Sequence, residues 1–314
     1  MTSRLDQVDF VLNPDTRYFA QIMHRIAQTE GWALNVEDYA TWLNSFEKFW
    51  FFAAIDKEND ETIGSVTMAF DRSVSGKDGE DLYSVGMYYV CEEWRNSGVG
   101  SILFEKIMDI GKGSNMALHG ALKMSPKYAS KYGFDKMPNY IHEFASIPIE
   151  NFVIPDADPR YILKDLRDVD EDKLVAYDAA ICQRRRAKYL HNFITTANCN
   201  VKVALDISGN VVGFCSVRSV VANYLSTAPL YADNEDVARS LLAEVLSMIK
   251  DIKKYKSFAS LYPPTNKEAH SLFQSLGGGR TTFTPYTQCA FTKKVLPIPE
   301  GKVYGVLECA NSFV

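Results

Sequence analysis

At 314 residues the chain exceeds what one ordinary hydrophobic core supports and accommodates two domains. Hydrophobic residues make up 46% and charged residues 23%, the balance of a soluble globular protein, and the net charge of -5 argues against a nucleic-acid partner. Six cysteines without a Cys-x-x-Cys pair, five scattered histidines and no bilayer-spanning apolar run argue against a zinc site and a membrane partner. A reduced, cytoplasmic setting is the simplest expectation, with a nuclear one left open.

Residues 15–27 are amphipathic, with Phe19, Ile22, Met23 and Ile26 on one face. Asn35 is placed to cap a second helix over 36–46. Residues 49–55 and 62–70 read as strands of a hairpin, followed by a Gly/Ser/Asp loop over 72–81. A strand over 82–91 leads into a two-glycine turn and a helix over 99–111. A strand over 116–122, a short helix over 126–132 and a strand over 140–147 follow. Three prolines within 147–160 mark a boundary, which divides the chain into 1–152 and 153–314. The second half repeats the order of elements. It has helices over 169–182 and 185–193, a hairpin around Ser208-Gly209-Asn210, a helix over 235–252, a strand over 257–262 and a helix over 266–276, then β-rich segments. Such a repeat suggests duplication of one module, each a mixed α/β layer built on one sheet.

The turn Arg95-Asn96-Ser97-Gly98-Val99-Gly100 carries the first chemical signal. A glycine-rich entry to a helix leaves backbone N–H groups unpaired where the helix dipole favours an anion. Arg95 adds a fixed charge for a phosphate-bearing ligand. The spacing fits neither a Rossmann fingerprint nor, at Gly111-Lys112-Gly113-Ser114, a P-loop.

On these residues the chain resembles the GNAT acyltransferase superfamily, whose core strand leads into an Arg-x-x-Gly-x-Gly turn. Gly86 inside an apolar strand fits the family's bulge at the point where its strands splay. Lys131-Tyr132-Gly133-Phe134 and Glu30-Gly31-Trp32 fit its later signature and its acceptor loop. The resemblance implies two tandem GNAT-like modules, each a mixed, mostly antiparallel sheet flanked by helices. It also implies acetyl-CoA as co-substrate, without a metal. The diphosphate would lie on Arg95, Asn96, Ser97, Gly98, Val99, Gly100 and Ser101, and the pantetheine arm along Met87, Tyr88, Tyr89, Val90 and Cys91. Glu30 and Trp32 would line the acceptor pocket.

In the second half, Asn266-Lys267-Glu268-Ala269 through Gly277 resembles the family's late helix. Ala228-Pro229-Leu230-Tyr231-Ala232-Asp233 is expected where the phosphate turn would stand, without a glycine and with acidic neighbours, so a second coenzyme site is not expected.

Acetyl transfer to an amine needs a base or water chain and a proton donor for the leaving thiolate. The family's usual donor position, four residues before Gly133, is Ala129; Tyr128 could serve only if its helix is irregular. His119, at the end of the strand after the phosphate helix, is a candidate base or else a hydrogen-bonded strand-end histidine. Cys91 reads as a buried strand cysteine rather than a nucleophile. Trp32, Tyr39, Trp42, Phe49 and Trp50 form an aromatic cluster that is mostly core. Arg184-Arg185-Arg186 and His191 read as solvated helix charge, with an anion-facing role as the alternative.

The expected function is an acetyl-CoA-dependent N-acetyltransferase acting on a small primary amine by direct transfer in a ternary complex. A lysine or peptide acceptor and a non-catalytic acyl-CoA-binding protein are the alternatives. Homodimerisation stays open.

Overall fold

Helices pack on both faces of a single continuous sheet in the computed structural model, which describes residues 4–77 and 79–314. The first half runs β1 (Val8–Leu12), α1 (Thr16–Thr29), α2 (Glu37–Ser45), β2 (Lys48–Asp56), β3 (Glu61–Asp71), β4 (Leu82–Val90), α3 (Val99–Ile110), β5 (Asn115–Ala121), α4 (Ser125–Tyr132) and β6 (His142–Pro148). The second half repeats that order. It runs β7 (Ile162–Lys164), α5 (Glu171–Cys182), α6 (Ala187–Ile194), β8 (Cys199–Leu205), β9 (Val211–Ser219), β10 (Leu225–Ala232), α7 (Glu235–Ser247), β11 (Ser257–Tyr262), α8 (Lys267–Leu276) and β12 (Thr282–Phe291). A short β13 (Val303–Gly305) is added at the end.

The strand order is β1-β2-β3-β4-β5-β12-β6-β11-β10-β9-β8-β7, with β13 beside β10. The halves exchange strands at the centre: β12 pairs antiparallel with β5, and β6 with β11. Each half therefore closes an edge of the other, which removes two unpaired sheet edges.

Neighbouring residues on a strand face opposite layers. Phe51 of β2 meets Phe19 of α1 and Tyr39 of α2, whereas the Lys106 ammonium of α3 lies over the Phe52 ring. So α1 and α2 cover one face of the first half and α3 the other.

Two parallel pairs in the sheet come apart. β4 and β5 are paired from Leu82↔Asn115 to Val85↔Leu118 and then separate. A register shift against β3 follows, with Met87 at φ 44° and the Ser65 hydroxyl donating to the Met87 carbonyl at 2.7 Å. The bulge expected at Gly86 is thus one residue on, at Met87. Gly86 itself serves a close approach, since a Cβ there would sit 1.6 Å from the Ala310 carbonyl oxygen. β10 and β11 pair only at Leu225↔Phe258 and Ser226↔Ala259.

Several expectations change. β1, at the sheet edge, was not anticipated. Residues 228–232 are not a turn but the buried end of β10, because this apolar run pairs with β9; the connection is only Asp233 and Asn234. The helix predicted to 252 stops at Ser247. Asn35 does not cap α2: its side-chain amide donates to the Ser219 carbonyl of β9 at 2.8 Å, tying the halves together.

The Arg184–Arg186 run is the largest correction. Arg184 and Arg186 are buried, not solvated. The Arg186 guanidinium donates to both Asp178 carboxylate oxygens (2.8 and 2.9 Å), the Ser312 hydroxyl (2.8 Å) and the Val314 carbonyl (3.1 Å). Arg184 donates to the Glu80 carbonyl at 2.5 Å. A guanidinium with five donors tolerates burial when most of them are satisfied, as they are at Arg186; the Arg184 Nε has no partner among the described residues. His191 is exposed and lies 3.1 Å from Glu171.

Candidate active site

A cavity of about 790 Å³ opens where β4 leaves β5. The turn between β4 and α3 forms part of its lining. Asn96 (φ 66°) and Gly98 (φ 97°) take left-handed backbone conformations, and Gly98 is the N-cap of α3 without a side-chain cap. Among the described residues the amides of Gly98, Gly100 and Ser101 have no acceptor, and the Val99 amide has only a long 3.4 Å contact to the Ser97 hydroxyl. A Cβ on Gly100 would lie 2.5 Å from the Tyr88 hydroxyl and 3.2 Å from Val90, so a larger residue there would have to displace these β4 side chains. Arg95 donates from Nε to the Val90 carbonyl at 3.1 Å and holds Nη2 3.7 Å from the Glu30 carboxylate.

Met87, Tyr88, Tyr89 and Val90 line the cavity, together with Arg95, Asn96, Gly98, Gly100 and Ser101. Glu30 and Trp32 also line it, the Trp32 indole edge-on to Tyr89 at 6.4 Å. Cys91, Ser97 and Val99 do not. Cys91 and Val99 are fully buried, and the Ser97 hydroxyl is turned back to the Trp94 carbonyl at 2.6 Å. Burial pushes the Cys91 thiol up to about 11. Tyr88 faces Phe104 of α3, while Tyr89 faces Thr29 and Trp32 across the sheet.

Tyr128 reaches the cavity from a regular α4, not from an irregular one. Its ring lies flat on Phe104 (5.5 Å), and Gly120 beneath it offers no side chain to displace it. Burial raises its phenol above the ordinary range. His119 also lines the cavity. Its Nδ1 is 3.2 Å from the Thr287 hydroxyl, and its ring stands edge-on to buried His142 at 4.8 Å. Burial lowers it to about 4, so its imidazole is neutral near neutral pH.

The second half supplies walls that no motif announced, among them Arg218, Tyr224, Tyr286 and Glu308. Glu308 sits on the tail after β13. Its Oε1 accepts from the Tyr189 hydroxyl (2.7 Å) and the Asn311 amide (2.9 Å). Burial is the main cause that pushes it up to about 7, and nearby Asp38 adds to it. The sequence did hold one signal: Glu308 is the single charged residue in 303–314. Lys123 and Lys127 reach the cavity from the side of α4.

The free amides, the glycine-cleared approach and the length of β4 without a β5 partner fit a diphosphate on an extended arm. No group of three or more His, Cys, Asp or Glu residues among those described is placed to hold a metal. None of the described helices is long and apolar enough to cross a membrane.

A family model described as a protein of unknown function (DUF1248) matches residues 5–181, more than half of the chain. The chain belongs to the DUF1248 family. A second model, described as an acetyltransferase (GNAT) domain, matches residues 174–305. A solved Pyrococcus horikoshii protein described as an acetyltransferase is 13% identical, with 98% of this chain and 96% of that one covered at a TM-score of 0.69. A tandem GNAT protein from the clavulanic acid biosynthesis pathway is 14% identical, covering 90% and 97% at 0.63. Saccharomyces cerevisiae N-myristoyltransferase, solved with myristoyl-CoA, is 10% identical, covering 95% and 88% at 0.62. No curated protein matches the sequence. The fold of this DUF1248 chain is a tandem GNAT fold.

Proposed function

We propose that this protein is an acetyl-CoA-dependent N-acetyltransferase that acts on a small primary amine by direct transfer. The observation that carries this reading is the uncapped N-terminus of α3 opening into the cavity between the separated β4 and β5. The α3 amides and Arg95 would hold the diphosphate, and the free length of β4 would pair with the pantetheine arm. The thioester supplies an activated acyl carbon; the chain supplies orientation and an enclosed cavity. Tyr128, which lines the cavity, would donate a proton to the departing sulfur. The GNAT domain match and the GNAT neighbours support an acyltransferase.

Calorimetry with acetyl-CoA tests the coenzyme site. Arg95→Glu reverses the charge beside the diphosphate and should weaken binding roughly tenfold or more, since charge-assisted hydrogen bonds contribute ~1.5–3 kcal/mol. Unchanged affinity would remove the reading. A thiol-release screen over amines and short peptides then separates a small acceptor from a lysine or peptide acceptor. Binding without release would favour an acyl-CoA-binding protein, for which Ala129 at the usual donor position speaks.

A further inference from the structure

The chain after β13 links the two modules. The Val306 amide donates to the Leu261 carbonyl at 2.8 Å, and Ala310 fills the space over Gly86. The segment ends in the buried Arg186 network. Its one charged side chain, Glu308, is half-buried and lines the cavity.

The side from which Glu308 enters matters. Its hydrogen-bond donor Tyr189 belongs to α6, and the Tyr189 ring packs on Phe46 beside α2 at 4.4 Å. That is the layer opposite α3, so Glu308 and the phosphate turn approach the gap from opposite faces of the sheet. Two aromatic groups border the same cavity. Phe144 packs on Tyr286 (5.1 Å) and edge-on to Tyr224 (6.4 Å), and Trp32 meets Tyr89. A carboxylate among aromatic faces recognises a cation with an apolar body.

We propose that Glu308 receives the ammonium group of the acceptor and takes its proton, and that the acceptor is a primary amine with a compact apolar or aromatic body. This rests on the acetyl-transfer reading above. The ammonium gives one proton to the Glu308 carboxylate. The freed nitrogen lone pair forms the C–N bond at the thioester carbonyl while the C–S bond breaks. The second proton lost by nitrogen ends on the thiolate, and Glu308 returns its own to solvent. The groups facing Glu308 are Tyr189 of α6, Asp38 of α2, Arg218 of β9 and Cys309 beside it. Asp38 and Arg218 form a buried ion pair at 2.5 Å, so their charges offset each other. Tyr189 acts as a positioning residue whose hydrogen bond favours the carboxylate form.

The test uses the full chain, with phenethylamine as probe. It is titrated calorimetrically into CoA-saturated protein, and thiol release from acetyl-CoA is followed across pH. Glu308→Gln should keep CoA affinity, lose about tenfold or more in amine affinity, and lose about 100-fold or more in kcat. The rise of wild-type kcat through pH near 7 should vanish in this variant. Tyr189→Phe should move that rise to higher pH with little change in the plateau rate.

Glu308→Gln within twofold of wild type in amine affinity and rate would overturn the inference. Equal loss of CoA affinity in that variant would also overturn it, by making the residue structural. A wild-type protein that binds CoA yet neither binds nor acetylates phenethylamine, benzylamine or butylamine overturns it and leaves the coenzyme reading intact. No CoA affinity in the wild type overturns both.

Discussion

The same sheet contains the same opening twice, and only one of the two is left open. Beyond Val85 and Leu118 the gap between β4 and β5 is cavity. Beyond Ser226 and Ala259 the gap between β10 and β11 is filled by β13, with Leu230↔Gly305 paired and the Ser260 hydroxyl donating to the Tyr304 carbonyl at 2.9 Å. The helices at the two gaps differ in the same sense. α3 begins at an uncapped glycine with free amides. α7 is capped by Asn234, which accepts from the Val237 amide at 3.1 Å, while the Glu235 amide donates to Glu268 at 2.8 Å. Donors already satisfied offer nothing to a phosphate. An opened parallel pair is thus a potential binding slot, and here the helix cap and the strand inserted beside it distinguish the closed slot from the open one.

The contrast can be tested at decreasing cost to the molecule. Arg186→Met should have the largest effect. It leaves the Asp178 carboxylate buried without its cation, and it also frees Ser312 and the Val314 carbonyl. A loss of about 3–5 kcal/mol is expected in denaturant unfolding. A loss under 1 kcal/mol would mean that the tail is held without this network.

Gly305→Val addresses the plug. A Cβ there would lie 2.3 Å from the Thr227 hydroxyl oxygen and 2.7 Å from that of Ser260. We expect a stability loss of about 1–3 kcal/mol. Acetyl-CoA affinity should change little, because the turn proposed to hold the diphosphate lies at the other gap, although Thr227 also borders the cavity. Weakened coenzyme binding in this variant would show that the two gaps are coupled.

Asn234→Ala should cost about 1 kcal/mol in the melting of the fold, the usual value of a lost N-cap. The number of coenzyme molecules bound per chain should match that of the wild type. A second binding event in this variant would show that capping alone had silenced the second gap.

How far the site can be read from sequence follows the range of the interactions that build it. α1 presents Phe19, Ile22, Met23 and Ile26 to the core as its periodicity predicts, and all four are fully buried. The turn at Gly98 and Gly100 was legible because its glycines answer local backbone requirements, a positive φ and a close strand approach. The burial of Arg184 and Arg186 was not legible. A run of three arginines looks solvated until Asp178, Glu80 and the tail are brought around it. Tyr128 shows an intermediate case: its helix was predicted, but its reach to the cavity depends on Gly120 in the strand below.

The sequence by itself determined two repeats of one order of elements, and it determined that the phosphate-type turn occurs in the first repeat alone. Those features depend on periodicity and on residues within a few positions of one another. Only the tertiary structure decided the exchange of β6 and β12, the filling of the second gap by β13, and the arrival of Glu308 beside a cavity opened by β4. Each is a pairing between segments more than a hundred residues apart, or between a strand and a gap that exists only once the sheet has formed. Local propensity records neither the partner nor the register of such contacts, which burial and hydrogen-bond satisfaction select in the folded chain.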